Sequence, residues 1–123
     1  MMKLICIVKR LPELSYEEFL DHWCYQHADL IKKYADVLGI NRYVQSQSIE
    51  SREIQSQMTS LRNMTDFDFD GIAELWYPSL EIHLNSRNTL EGAQALEEII
   101  ADEKRFIDLS RSRMWYSCEY TVL

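Results

Sequence analysis

The chain has 123 residues, 46% hydrophobic and 27% charged, with two prolines, a length and balance that fit one globular domain over residues 1–123 with one sizeable core. A formal net charge of −7 argues against nucleic acid as a partner, since phosphate binding draws on clustered Lys and Arg that release counterions. No apolar run approaches the roughly 18 residues of a membrane helix, so no membrane partner is expected. Three widely spaced cysteines fit neither a disulfide framework nor a Cys-x-x-Cys pair, and reduced thiols in a cytoplasmic protein are expected.

Lys3 to Lys9 is a β-branched, apolar run without polar alternation, which predicts a strand covered on both faces rather than a signal peptide. Pro12 breaks the chain. Ser15, with Glu18 three residues on, forms a capping-box signature for a helix running to about Leu38, where Gly39 stops it. Ile40 to Ser48 predicts a second strand. Ile49 to Asp68 is rich in Ser, Gln, Thr and Asn, and only Ile54, Met58 and Leu61 keep helical spacing, which predicts a loop carrying a short helix. Its length marks a flap or a solvated insertion. Gly71 to Tyr77 follows as a third strand with Ile72, Glu74 and Trp76 on one face and Ala73, Leu75 and Tyr77 on the other. Pro78-Ser79 opens a helical stretch through Leu84, Thr89 caps another carrying Leu90, Ala93, Leu96, Ile99 and Ile100, and Gly92 weakens it. A last strand is predicted over Met114 to Leu123, placing Cys6 and Cys118 in strands.

The order strand, helix, strand, strand, helix, strand is the split βαβ arrangement of ferredoxin-like α+β folds, with a four-stranded antiparallel sheet. Helices on one side of that sheet leave the other side open, carrying large apolar residues of the first strand with Trp76 or Tyr77 and Trp115 or Tyr116. A symmetric dimer packing two sheets face to face would cover it and enclose a cavity in each half.

The long first helix holds the candidate chemistry. With about 100° per residue, Tyr16, Phe19, Leu20, Leu30, Tyr34 and Val37 all fall within about 60° of Trp23, and His27 falls inside that apolar stripe. A polar ring there needs a hydrogen-bond partner or a cavity to line. Imidazole titrates near neutral pH, which makes His27 the first candidate for a general acid or base, the other reading being a helix-to-sheet hydrogen bond. In regular α-helix geometry His22 lies about 140° from His27, so the two cannot share one metal as an i, i+4 pair does, and no metal site is expected. His22 is read either as capping a neighbouring element or as orienting a partner.

Glu74, between Ile72 and Trp76, is a carboxylate that needs pairing. Pairing with His27 would fix the imidazole tautomer, and a cross-strand ion pair with Arg42 or a lysine is the alternative. Tyr43 is placed to hydrogen-bond a substrate oxygen and Trp76 to stack on a planar ring. Trp23 at the head of the stripe is a third candidate contact, although aromatics at such positions also serve as core. Asp108 lies between Arg105 and Arg111, a structural salt bridge. The alternating Asp66, Asp68 and Asp70 lack the other oxygen ligands of a calcium loop. Scattered glycines build no phosphate loop or dinucleotide turn, and no serine sits in a nucleophile elbow.

Taken together, Lys3-Leu4-Ile5-Cys6, Asp21-His22-Trp23, His27-Ala28-Asp29-Leu30, Tyr43-Val44-Gln45, Asp70 to Trp76 and Asp102-Glu103-x-Arg105-Phe106-Ile107-Asp108 resemble the EthD family of the dimeric α+β barrel superfamily. The long Ile49 to Asp68 segment departs from that pattern. The resemblance implies a homodimer with a ligand cavity between each sheet and its helices or in the barrel interior, and it brings no cofactor or metal. It also implies a small hydrophobic, aromatic or polyketide-like ligand undergoing proton transfer in a lyase (dehydratase) or isomerase (cyclase) reaction, with His27, Glu74 and His22 as catalytic candidates. The alternative is a non-catalytic accessory or ligand-binding protein of an oxidative degradation pathway, with His27 and Glu74 stabilising the fold.

Overall fold

The computed structural model describes residues 1–123. In chain order it contains β1 (Met2–Val8), α1 (Tyr16–Asp21), a π-helical turn (His22–His27), α2 (Ala28–Leu38), β2 (Arg42–Gln47), α3 (Arg52–Ser60), β3 (Gly71–Tyr77), α4 (Leu80–Arg87), α5 (Leu90–Glu103), a 3₁₀ turn (Leu109–Arg111) and β4 (Arg113–Ser117). The four strands form one antiparallel sheet in the order β2-β3-β1-β4, the ferredoxin-like α+β fold.

Local chemistry sets the boundaries. Ser15 Oγ accepts from the Glu18 amide while the Glu18 carboxylate accepts from the Ser15 amide, which completes the capping box. Ser79 and Thr89 cap α4 and α5 in the same way through one hydroxyl each. Gly39 ends α2 at φ 70°, and a Cβ there would also sit 2.9 Å from Ile82 Cγ2. Helix α4 extends to Arg87, three residues beyond the expected Leu84. β4 stops at Ser117 rather than Leu123, because Ser117 already pairs with Lys3 and only Met2 of β1 remains to continue the ladder. Cys118 therefore lies exposed beyond the strand, whereas Cys6 is inside β1 as expected.

The core divides into two clusters against the helix side of the sheet. One gathers Met2, Leu4, Ile31, Leu38, Tyr77, Ala95 and Ile99, and the other Val8, Phe19, Trp23, Ala73, Phe106 and Ile107. Alternation along the strands sends Lys3, Ile5 and Ile7 of β1 with Ile72, Glu74 and Trp76 of β3 to the opposite face, which no helix covers. Trp115 on that face is 44% exposed. Trp76 is buried there by cations, with Lys3 Nζ 5.1 Å and the Arg42 guanidinium 4.5 Å from its ring centre, and its indole N–H donates to Glu119.

Between β2 and β3, α3 is the predicted short helix. Its Ile54 and Met58 and the following Leu61 are exposed. The acidic run that follows anchors the chain, with Asp68 accepting from Lys9 and Arg111, and Asp70 from the Arg10 amide and guanidinium. Arg105 turns to Asp102 and the Asp108 carboxylate accepts from Ser110, so the expected Asp108 bridge to its flanking arginines is not formed.

Gly92 is where helix propensity misleads. A Cβ at this position would sit 1.8 Å from the Ser86 carbonyl oxygen, so α4 and α5 meet only because the side chain is absent. Propensity alone predicts that Gly92→Ala stabilises by about 1 kcal/mol. The backbone contact predicts the opposite sign, a loss of about 3 kcal/mol, read as a lower midpoint in thermal or urea unfolding.

Candidate functional site

The π-helical turn aligns the two imidazoles. In it the amide of Ala28 bonds the Trp23 carbonyl five residues back, so residues five apart stack along one side of the helix. His22 and His27, about 140° apart in a regular α-helix, both reach Asp102 on α5. His27 Nδ1 lies 2.8 Å from one carboxylate oxygen and His22 Nε2 lies 3.0 Å from the other. Arg105 Nη1 adds a third donor at 3.3 Å. The group rests on Phe106, which is fully buried and stacks on the His22 ring at 4.5 Å between centres.

An ionised carboxylate only accepts, so His27 carries its proton on Nδ1 and presents the Nε2 lone pair. Nε2 has no hydrogen-bond partner yet is not sealed off, because His27 lines a cavity of about 290 Å³ between the sheet and the helices. Burial lowers the His27 pKa and outweighs the Asp102 interaction, which acts the other way, so the ring is neutral at pH 7. Burial pushes the Asp102 carboxyl upward, but the hydrogen bonds from His27 and His22 prevail and hold it below its ordinary value.

The cavity wall is mostly aliphatic and aromatic, including Leu4, Cys6, Val8, Ala73, Leu75 and Ile99. Glu103, next to Asp102 on α5, also lines it, and its carboxyl makes no hydrogen bond. Burial, and then the charge of Asp102, pushes its carboxyl to about 7. Tyr43 lines the cavity with its hydroxyl accepting from Gln45 Nε2 at 3.0 Å, and burial raises this phenol to about 12, so it stays protonated. The Cys6 thiol, also raised to about 12 by burial, is no nucleophile.

The structure thus brings His27, Tyr43 and Trp23 to one cavity, with Trp23 a buried wall that packs on Phe19. His22 braces Asp102. Glu74 and Trp76 are elsewhere: Glu74 bonds Lys3 Nζ at 2.5 Å on the uncovered face, so the expected Glu74–His27 pair is replaced by Asp102–His27. Strand alternation accounts for this, since Glu74 and Trp76 point away from the helices while Ala73, Leu75 and Tyr77 point toward them. The carboxylates that matter were detectable by the rule that singled out His27. Asp102 follows Ala95 and Ile99 at i+7 and i+3, and Glu103 follows Leu96 and Ile99 at i+7 and i+4, which sets both on the apolar side of α5.

Residues 11–110 match the family model described as EthD domain. The decarboxylase AgnL1 of Paecilomyces divaricatus is 28% identical over 116 residues, covering 89% of this chain and 72% of that protein. Among solved structures, an EthD family protein from Bacillus halodurans superposes with a TM-score of 0.64 at 20% identity, covering 98% of this chain and 99% of that one. A dimeric protein of unknown function and ferredoxin-like fold from Bacteroides fragilis superposes with a TM-score of 0.56 at 12% identity, covering 94% and 93%.

The Asp102 cluster makes stability depend on pH. His27, with its pKa lowered by folding, contributes stability above its unfolded value near 6.5 that is lost as pH falls. Asp102, also lowered, adds a second loss below its unfolded value near 3.8. The unfolding midpoint is expected to fall from about pH 6.5 downward. Asp102→Asn removes the charge that holds both rings and is expected to cost about 3 kcal/mol at pH 7, measured by urea unfolding, with a flattened acid limb.

Proposed function

The chain belongs to the EthD family, and we propose from that premise and the cavity's chemistry that it is a cofactor-independent lyase or isomerase moving a proton at carbon on a small aromatic or polyketide-like molecule. One observation carries the reading: His27 presents a neutral Nε2 to an apolar cavity that also holds Glu103, a carboxyl titrating near 7. A base and an acid in complementary protonation states at neutral pH are what proton transfer requires.

His27 takes the proton of an acidic O–H or C–H group, and Asp102 holds its Nδ1–H and stabilises the imidazolium that forms. Glu103 delivers a proton to the carbon that receives electron density. In a decarboxylation, as the name of the fungal relative supports, the bond from carbon to carboxylate breaks and carbon dioxide leaves. The electron pair left behind is captured by the Glu103 proton, which solvent restores, and His27 returns its proton to the oxygen that gave it. Tyr43 orients a substrate oxygen. The apolar wall excludes water from the intermediate and strengthens each charge interaction in the site.

The uncovered sheet face, with Ile5, Ile7, Ile72 and the half-exposed Trp115, is the proposed homodimer interface, a reading supported by solved relatives described as dimeric. Three free cysteines support the cytoplasmic setting. Light scattering at micromolar concentration is expected to give twice the chain mass, and Trp115→Glu to give a monomer. A monomeric wild type overturns the assignment of that face.

Incubation with hydroxylated mono- and bicyclic aromatic acids in D₂O, followed by NMR, is expected to show one deuterium entering carbon. His27→Gln lowers that rate about 10²-fold or more while the circular dichroism spectrum is unchanged. Full turnover in a folded His27→Gln variant removes the ring from the mechanism, and ligand binding without any exchange favours an accessory role. The pH profile of the rate is expected to be bell-shaped. It falls in acid as His27 protonates and in alkali above about pH 7 as Glu103 ionises, and Glu103→Gln abolishes the alkaline limb.

A further inference from the structure

The cavity has a second polar end that proton transfer at His27 does not use. Arg87 and His83 of α4, Tyr77 of β3 and Tyr116 of β4 line it. Helix α4 docks beside the C-terminus of α2, where Ser86 Oγ donates to the Leu38 carbonyl. Leu38 is eleven residues beyond His27, about 16 Å along the helix axis at 1.5 Å per residue. The sheet agrees: Ala73 belongs to the Trp23–Phe106 cluster and Tyr77 to the Leu38 cluster, about 13 Å apart along β3.

At this far end hydrogen-bond donors outnumber acceptors. Arg87 has no carboxylate partner, and its one side-chain contact is to His83 Nε2 at 3.4 Å. A guanidinium can only donate, so His83 Nε2 accepts from it and, at 3.0 Å, from the Tyr116 hydroxyl. The ring is kept neutral by burial and by Arg87, which leaves its proton on Nδ1. That Nδ1 is buried with no hydrogen-bond partner, in a residue only 4% exposed. The Tyr77 hydroxyl, on a residue equally buried, donates to nothing, and the ring meets His83 edge-on at 4.3 Å. Arg87, a cation with no carboxylate partner, and the free Tyr77 phenol line an apolar chamber and lack one thing, an anionic acceptor, while His83, whose Nδ1 is closed off from the chamber, serves to position the guanidinium.

We propose that the Arg87–His83–Tyr77 end is an oxyanion-binding subsite that takes a carboxylate on an elongated aromatic ligand whose opposite end lies at His27. This deepens the proposed function by naming a substrate class, aromatic acids with a polar group at each end. A carboxylate paired with Arg87 is stabilised, so the group held there is an anchor that the reaction retains, and the bond that changes lies at the His27 end. The cavity's size, at the lower limit of small-molecule sites, fits a bicyclic body.

The test is equilibrium binding of the linear hydroxynaphthoate with carboxylate and hydroxyl on opposite rings, compared with its methyl ester, by calorimetry or ligand fluorescence. The acid is expected to bind at least about tenfold tighter than the ester, the ratio one charge-assisted hydrogen bond supplies. Arg87→Met is expected to abolish that ratio by weakening the acid alone, with ester binding serving as the check that the cavity is intact, and Arg87→Lys to restore part of it. Equal affinity of acid and ester, a ratio that survives Arg87→Met, or no binding of the acid at millimolar concentration overturns the proposal. No turnover enters the readout, so this subsite stands or falls separately from the proton chemistry at His27.

Discussion

The Asp102 carboxylate adds a polar clamp between two parts of the chain that apolar packing also brings together. It receives two imidazoles from the helical segment after β1 and a guanidinium from its own turn, above the ring of Phe106. A buried carboxylate with one partner leaves its charge poorly compensated, whereas one with three donors has most of its lone pairs engaged. The same contacts set the chemistry of the site, because a ring that gives its Nδ1 proton to Asp102 keeps a lone pair for the cavity. Under the proposed function, fold and chemistry share one interaction, and losing the carboxylate removes both the brace and the tautomer.

The apolar chamber moves five of the ionisable groups that touch it in the direction of the neutral form. It lowers His27 and His83 and raises Glu103, Tyr43 and Cys6. An imidazole base and a carboxylic acid at neutral pH arise from one cause, desolvation, acting on groups of opposite charge type. Surface carboxylates of the same chain, such as Asp68 with Lys9 and Arg111, move the other way because cations rather than burial dominate them.

The strand order, the capped helices and the placement of His27 toward the sheet were legible in the sequence, because each rests on periodicity or on a local cap. The partner of His27 was sought on the wrong element. Glu74 attracted attention as a carboxylate among apolar strand residues, yet the face it occupies is the uncovered one, where Lys3 sits opposite. Asp102 and Glu103 carried the same anomaly on α5, an acidic pair on an apolar stripe. The alignment of His22 with His27 was hidden for a different reason: the angular argument assumes i→i+4 bonding throughout, and nothing in His-Trp-Cys-Tyr-Gln-His encodes one wider turn. His83 and Arg87 lie on a short helix with a weak pattern, and their link to Tyr77 and Tyr116 is set by tertiary packing alone.

The π-helical turn has a consequence for motion. Wide turns of this kind occur mostly as isolated insertions within α-helices, so the backbone from His22 to His27 is kept in its less common hydrogen-bonding register by the side chains it presents. The amide protons of this stretch and of Ala28 are then coupled to occupancy of the Asp102 clamp. Releasing either imidazole frees six residues to slip toward ordinary α bonding, which would rotate α2, and with it Ile31 and Leu38, relative to the cavity. A local register shift in one helix would thus link the Asp102 clamp to the shape of the chamber beside it.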